Sequence, residues 1–195
     1  MGTSPNTSEL IAGYYDRMDH LFRTFLDDRD NVDGMNEAVR LLKATRTGRN
    51  TIFLVGNGGS SAVAEHIAID LTKNAGLKAL AVSGTPMLTT FSNDYGYENV
   101  FAKAIEIFAR EGDILVAISS SGTSRNITNA CRVAKEKGLK VITLSGFKAN
   151  NPLRSMGHLN FWIDSEAFGF LETLHGLILH YINDSVIGSE VYMIR

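Results

Sequence analysis

Cysteine, charge imbalance and long apolar runs are all scarce in this chain, and each scarcity removes a class of function. The single cysteine among 195 residues, Cys131, excludes a disulfide framework within one chain. It lies in the amphipathic stretch "NITNACRVAKEKG" with no activating partner nearby, so it reads as a small core residue rather than a nucleophile. A formal net charge of -2 gives no electrostatic footprint for nucleic acid. No apolar run approaches the ~18 residues that a membrane span needs, and the opening "MGTSPNTSEL" is too polar for a signal peptide. Neither an internal repeat nor a low-complexity linker is present. A cytoplasmic protein with no membrane or nucleic-acid partner is expected, folded as one domain over residues 1–195.

Two helices are expected first. Apolar residues recur at helical spacing through Leu10, Tyr14, Met18, Leu21 and Phe25, then through Met35, Val39 and Leu42. The stretch "DDRDNVDG" separates the two, and residues 8–46 form a helical extension whose apolar stripe suits subunit packing. Beyond it the texture changes to short apolar runs, "TIFLV", "KALAV", "DILVAIS", "KVITLS" and "LNFWI". Each except the last is followed by polar or glycine residues and a helical pattern, and "GFLETLHGLILHYINDSVIG" closes the chain as a helix. Continuous apolar strands alternating with helices specify an α/β fold, a three-layer sandwich around a parallel sheet.

In such sheets ligands sit beyond the carboxyl ends of the strands. Two loops occupy such places, "GNGGSS" after the first strand and "SSSGTS" after "DILVAI". The first is no dinucleotide fingerprint: Ser61 replaces its third glycine, and "KALAVSG" ends without an acid for a ribose. No Walker-type GK[ST] exists in the chain either, so no nucleotide cofactor is expected. What remains is a helix N-terminus with free N–H groups and hydroxyls at Ser60 and Ser61, a seat for an anion. The second loop carries five hydroxyls in the six residues 119–124. An N-cap needs one; a phosphate monoester takes up the surplus.

The segments "GNGGSSAVAEH", "SNDYGYENVF", "EGDILVAISSSGTSRNI" and "ETLHGLILH" together resemble the phosphoheptose isomerases (sedoheptulose 7-phosphate isomerases) of the SIS, or sugar isomerase, superfamily. The match is colinear over about residues 51–183. It implies that Asn57, Gly58, Gly59 and Ser60 contact the substrate and that Ser119, Ser120, Ser121 and Ser124 cradle its phosphate. Asn93 and Asp94 of "NDYGY" would lie along the sugar, although Asn-Asp before glycine is also ordinary turn chemistry.

His66 and Asp70 stand four apart on the helix after the glycine loop and share a face. That spacing suits a metal, an acid–base pair or a plain surface hydrogen bond. Glu172, His175 and His180 interrupt an otherwise apolar closing helix, where charged groups need partners or a cleft; one histidine can serve as a hydrogen-bonded core residue. The resemblance implies a base at Asp70, where the family has glutamate, and a substrate contact at Glu172, where it has glutamine. It links zinc to His66, Asp70, Glu172 and His180, and implies a homotetramer. Asn74 and Lys73 stand where the family carries an arginine. Glu172 and His180 lie about 12 Å apart along a straight helix, so one metal reaches both only through a helix break or a second chain.

An aldose–ketose isomerase acting on sedoheptulose 7-phosphate through an enediol is the reading that results, with Asp70 and His180 as acid and base. A SIS-fold module that binds a sugar phosphate or a partner protein without turnover is the alternative.

Overall fold

The computed structural model describes residues 7–192. Two helices come first, α1 (Thr7–Asp27) and α2 (Arg29–Gly48). The break between them is the single residue Asp28, not the whole stretch 27–34. Its carboxylate accepts the Asp30 backbone N–H at 2.9 Å as an N-cap, and Asp30 then favours the helix dipole from the first turn. The acidic run that reads as a linker is a helix start.

Five strands follow: β1 (Thr51–Val55), β2 (Lys78–Ala81), β3 (Ile114–Ser119), β4 (Lys140–Ser145) and β5 (Leu159–Trp162). All neighbours pair in parallel, in the order β2-β1-β3-β4-β5. The helices between them are α3 (Gly59–Lys73), α4 (Thr85–Tyr95), α5 (Val100–Phe108) and α6 (Arg125–Glu136), with α7 (Phe168–Ile187) closing the chain. One departure from the expected alternation lies between β4 and β5, where only a 3-10 turn over Pro152–Ser155 intervenes.

Successive residues of the central strands serve opposite layers. Ile52, Leu54, Ile114, Val116, Ile142 and Leu144 bury against α2, α3 and α7. Phe53, Val55, Leu115, Ala117 and Val141 bury against α5 and α6. A strand covered on both faces must be apolar at every position, which is why β1 and β3 read as unbroken apolar runs. Cys131 is fully buried in the second layer, where desolvation pushes its thiol up to about 12, and it has no role as a nucleophile.

The stripe on α1 divides along its length. Phe25 is buried in the core and Met18 and Leu21 pack against it. Leu10, Ile11, Tyr14 and Tyr15, one to two turns earlier, remain exposed. No described helix is long and apolar enough to cross a membrane.

Candidate active site

The strand order reverses between β1 and β3: the chain leaves β1 for β2 and leaves β3 for β4, on the other side. Their outgoing crossovers, α3 and α6, pack on opposite faces. Such a switch point opens a crevice at the carboxyl ends of the strands. Both singled-out loops end there, at residues 56–61 and 119–124.

A cleft of about 90 Å³ occupies the crevice, lined by Asn57, Ser60, Ser119, Ser120, Ser121, Ser124, Phe168 and Glu172. That is room for about three waters, hence for one polar group rather than a whole sugar. The loop after β3 folds back through a Gly122 N–H bond to the Ser119 carbonyl at 3.0 Å. Gly122 has φ +64, and a Cβ there would run into the Asn151 amide, so glycine is required twice over. Ser124 is the N-cap residue of α6, yet its hydroxyl makes no capping bond; it faces Ser119 Oγ at 3.3 Å. Ser121 Oγ accepts from the Thr123 backbone N–H at 3.3 Å and from Thr123 Oγ1 at 3.0 Å, which leaves the hydroxyl hydrogens of Ser120, Ser121 and Ser124 for a ligand, beside the first-turn N–H groups of α3 and α6.

Helices α3 and α7 run side by side in the same direction. At their starts, the Glu172 carboxylate lies against Gly59, where any Cβ would strike it. The positive end of α3 favours that charge. Two to three turns on, the same seam brings together His66, Asp70 and His180. Asp70 Oδ2 lies 3.5 Å from His66 Nε2 and 3.8 Å from His180 Nδ1, and the imidazole centroids are 5.0 Å apart. Asp70 Oδ1 accepts from Asn74 Nδ2 at 3.1 Å. The carboxylate is mostly buried, while both imidazoles keep substantial exposure.

Those separations are too long for good hydrogen bonds. They are close to the about 3.4 Å between donors of a tetrahedral zinc with bonds of about 2.1 Å. Among the described residues this is the one group of three or more histidines, cysteines and acids that could hold a metal. Glu172 is not part of it. Because α7 is unbroken, the four-residue set expected for zinc is split in one protomer into three residues and one.

Other expected residues fall elsewhere. Asn93 and Asp94 form the exposed last turn of α4, bonded to each other at 2.8 Å, and line neither cluster. Gly58 adopts φ +55 at the N-cap of α3 and sets the turn. His175 is the core histidine: fully buried, with Nε2 3.2 Å from the Ser145 carbonyl, and pushed down to about 4 by desolvation. The sequence reading missed Tyr97, Asn126 and Phe168. Tyr97 belongs to the "NDYGY" box, which was the available signal.

Two roomier clefts, of about 420 and 450 Å³, lie beside α1. The first is lined by Asp28, Asp30, Asp164 and Arg154, and neither contains the hydroxyl loop.

Comparison with known proteins agrees with this geometry. The SIS domain family matches residues 13–146. The phosphoheptose isomerase of Proteus mirabilis (strain HI4320) is 34% identical over 182 residues, covering 89% of this chain and 93% of its own. The structure of phosphoheptose isomerase GmhA from Neisseria gonorrhoeae superimposes with a TM-score of 0.85 at 28% identity, over 93% of this chain and 99% of that one. The Vibrio vulnificus NanR protein, solved with ManNAc-6P, shares the fold at 18% identity and a TM-score of 0.68, over 94% of this chain and 64% of its own. A hydroxyl-lined crevice at the switch point and a histidine–aspartate cluster on the neighbouring helices thus sit on a chain that belongs to the SIS-domain phosphoheptose isomerases, a family of sugar phosphate isomerases.

Proposed function

We propose that the protein interconverts sedoheptulose 7-phosphate and the corresponding aldoheptose 7-phosphate through an enediol. The observation that carries the reading is the pairing of two sites along one helix seam. One is a phosphate-sized cleft lined by serine hydroxyls that the helix cap does not use, and the other an Asp–His cluster further along the same two helices. A substrate anchored by phosphate at one end and reacting at C1–C2 at the other calls for that separation. The relatives are named phosphoheptose isomerases, which supports a heptose phosphate as the substrate class.

The chain's own groups supply the steps. Ser119, Ser120, Ser121 and Ser124 donate to the phosphate, aided by the N-terminus of α6. Asn57, Gly58, Gly59, Ser60 and Glu172 line the approach. Asp70 takes the proton from C1, exchanges it with solvent and delivers a proton to C2 of the enediol; His180 moves the proton between the two oxygens. Asp70 presents a mostly buried carboxylate oxygen to both imidazoles, which sets a proton acceptor beside a proton carrier. His66, Asp70 and His180 are the residues that would hold zinc. Bound there, the ion would act as a Lewis acid on the carbonyl oxygen.

The cleft is too small for the sugar, and Glu172 is apart from the histidines. Both features support a homotetramer whose active sites are completed by neighbouring chains, with the exposed Leu10, Ile11, Tyr14 and Tyr15 of α1 as contact residues. A cytoplasmic location follows from the substrate, since phosphorylated sugars do not cross membranes unaided.

Incubating the protein with sedoheptulose 7-phosphate and following carbon signals by NMR tests the substrate. An aldose C1 resonance should appear and grow to equilibrium. Binding without any aldose would favour a non-catalytic sugar-phosphate-binding module.

A further inference from the structure

Asn57 reaches the cleft held by three bonds that cross the fold. Its side-chain amide exchanges two hydrogen bonds with that of Asn126: Asn57 Nδ2 donates to Asn126 Oδ1 at 3.0 Å, and Asn126 Nδ2 donates to Asn57 Oδ1 at 2.9 Å. The Tyr97 hydroxyl donates to the same Asn57 Oδ1 at 2.8 Å. Asn126, on the first turn of α6, is 3% exposed.

An amide can usually be turned over without changing its shape, so its direction must be argued from fixed groups. Here one exists. The backbone N–H of Ile127, shared with the Ser124 carbonyl, donates to Asn126 Oδ1 at 3.0 Å. A backbone N–H can only donate, so that atom of Asn126 must be its oxygen. Its NH2 group then faces Asn57, which must present its own oxygen in return. With bonds from Asn126 and Tyr97, Asn57 Oδ1 has spent both lone pairs. The second N–H of Asn57 Nδ2 has no acceptor among the described residues, and Asn57 lines the cleft.

From this chain of constraints we infer that Asn126 and Tyr97 are positioning residues that aim the Asn57 amide, so that it offers the substrate a donor and never an acceptor. The ligand atom met by Asn57 is an oxygen with a free lone pair, on a phosphate, carbonyl or hydroxyl. The same bonds tie the β1 loop to the start of α6, which holds the two halves of the cleft in register. Tyr97 adds the chain segment after α4 to the same knot. This inference rests on the isomerase reading for the identity of the substrate, but the amide geometry stands apart from it.

Two measurements on the full-length protein test it. In Tyr97→Phe, the KM for sedoheptulose 7-phosphate should rise about fivefold, the usual worth of one neutral hydrogen bond, with kcat within twofold. The exposed Tyr97 ring stays in place, so the melting temperature should hold. In an Asn57→Ala background the same Tyr97→Phe change should leave KM unmoved, since the group it aims is gone. An equal KM effect in both backgrounds would overturn the inference. The second measurement needs no turnover: 15N-labelled side-chain amides are followed by NMR. The Asn57 Nδ2 resonances should shift in Tyr97→Phe and in Asn126→Asp, and an unchanged pair in both variants would also overturn the inference. Absence of turnover in the wild type would count against the isomerase reading alone and leave the amide spectra to decide this one.

Discussion

At the scale of single residues, Asp70 divides its carboxylate between two tasks. Oδ1 is held by Asn74, and Oδ2 is left facing His66 and His180. The anchor comes from Asn74 one turn on, so the acid is steadied by a short neutral amide. Asp70→Asn keeps the size and the tie to Asn74 but removes the basic oxygen. Turnover should fall by about 10²–10⁴-fold, the usual range for general acid–base catalysis, with sugar-phosphate affinity within several-fold. Zinc content measured on the same preparation distinguishes the roles: a base alone leaves it unchanged, whereas a ligand releases the ion, because a neutral amide is a poor zinc ligand. Wild-type turnover in this variant would exclude Asp70 as the base.

His175 gives a different single-residue prediction. Burial holds its folded pKa at about 4, below the ordinary 6.5, so the unfolded chain binds its proton first as pH falls. Its contribution is complete above pH 6.5 and is lost between about 6.5 and 4. Over that window stability should drop by on the order of 3 kcal/mol from this residue. His175→Gln keeps a donor for the Ser145 carbonyl and cannot titrate, so its melting temperature should depend less on pH there. Identical profiles would remove His175 as the cause. The sequence marked one of the closing histidines as a core residue; only packing shows which. His180 stands five residues further on and faces the α3 seam.

At the scale of elements, the loop 119–124 was legible because its hydroxyls outnumber what a helix cap needs, and the structure spends none of them on the cap. Replacing Ser119, Ser121 and Ser124 together by alanine should weaken sedoheptulose 7-phosphate binding about a hundredfold, at about 1 kcal/mol for each donor lost. Circular dichroism should remain native. Unchanged affinity by calorimetry would place the phosphate elsewhere. The five strands were equally legible: β1 and β3, buried on both faces, leave unbroken apolar runs, and the half-exposed edge strands β2 and β5 still stand out as short apolar runs between turns. The α1–α2 break was not: "DDRDNVDG" has the composition of a loop, and one N-cap bond turns it into a helix start. Tyr97 and Asn126 also escaped the sequence. Their bonds to Asn57 span 40 and 69 residues, and only the sheet order brings those segments together.

At the scale of the whole molecule, the strand order explains why two loops more than sixty residues apart make one cleft. They leave neighbouring strands at the point where the winding reverses. The helix seam then carries the second cluster away from the first, and leaves Glu172 with the phosphate end. Such a split site predicts assembly. Light scattering at micromolar concentration should report a particle of four 21.3 kDa chains, and Tyr14→Glu with Ile11→Glu should break it apart and lower activity together. A wild-type monomer with full turnover would contradict the shared-site account.

The central claim, that Asp70 and His180 move a proton between C1 and C2 of a phosphate-anchored sugar, is tested most directly by running the reaction in D2O. Proton NMR of sedoheptulose 7-phosphate with the wild-type protein should show an aldoheptose 7-phosphate carrying solvent deuterium at C2, with the C1 protons of the ketose exchanging in step. No aldose, together with unexchanged C1 protons, would contradict the account.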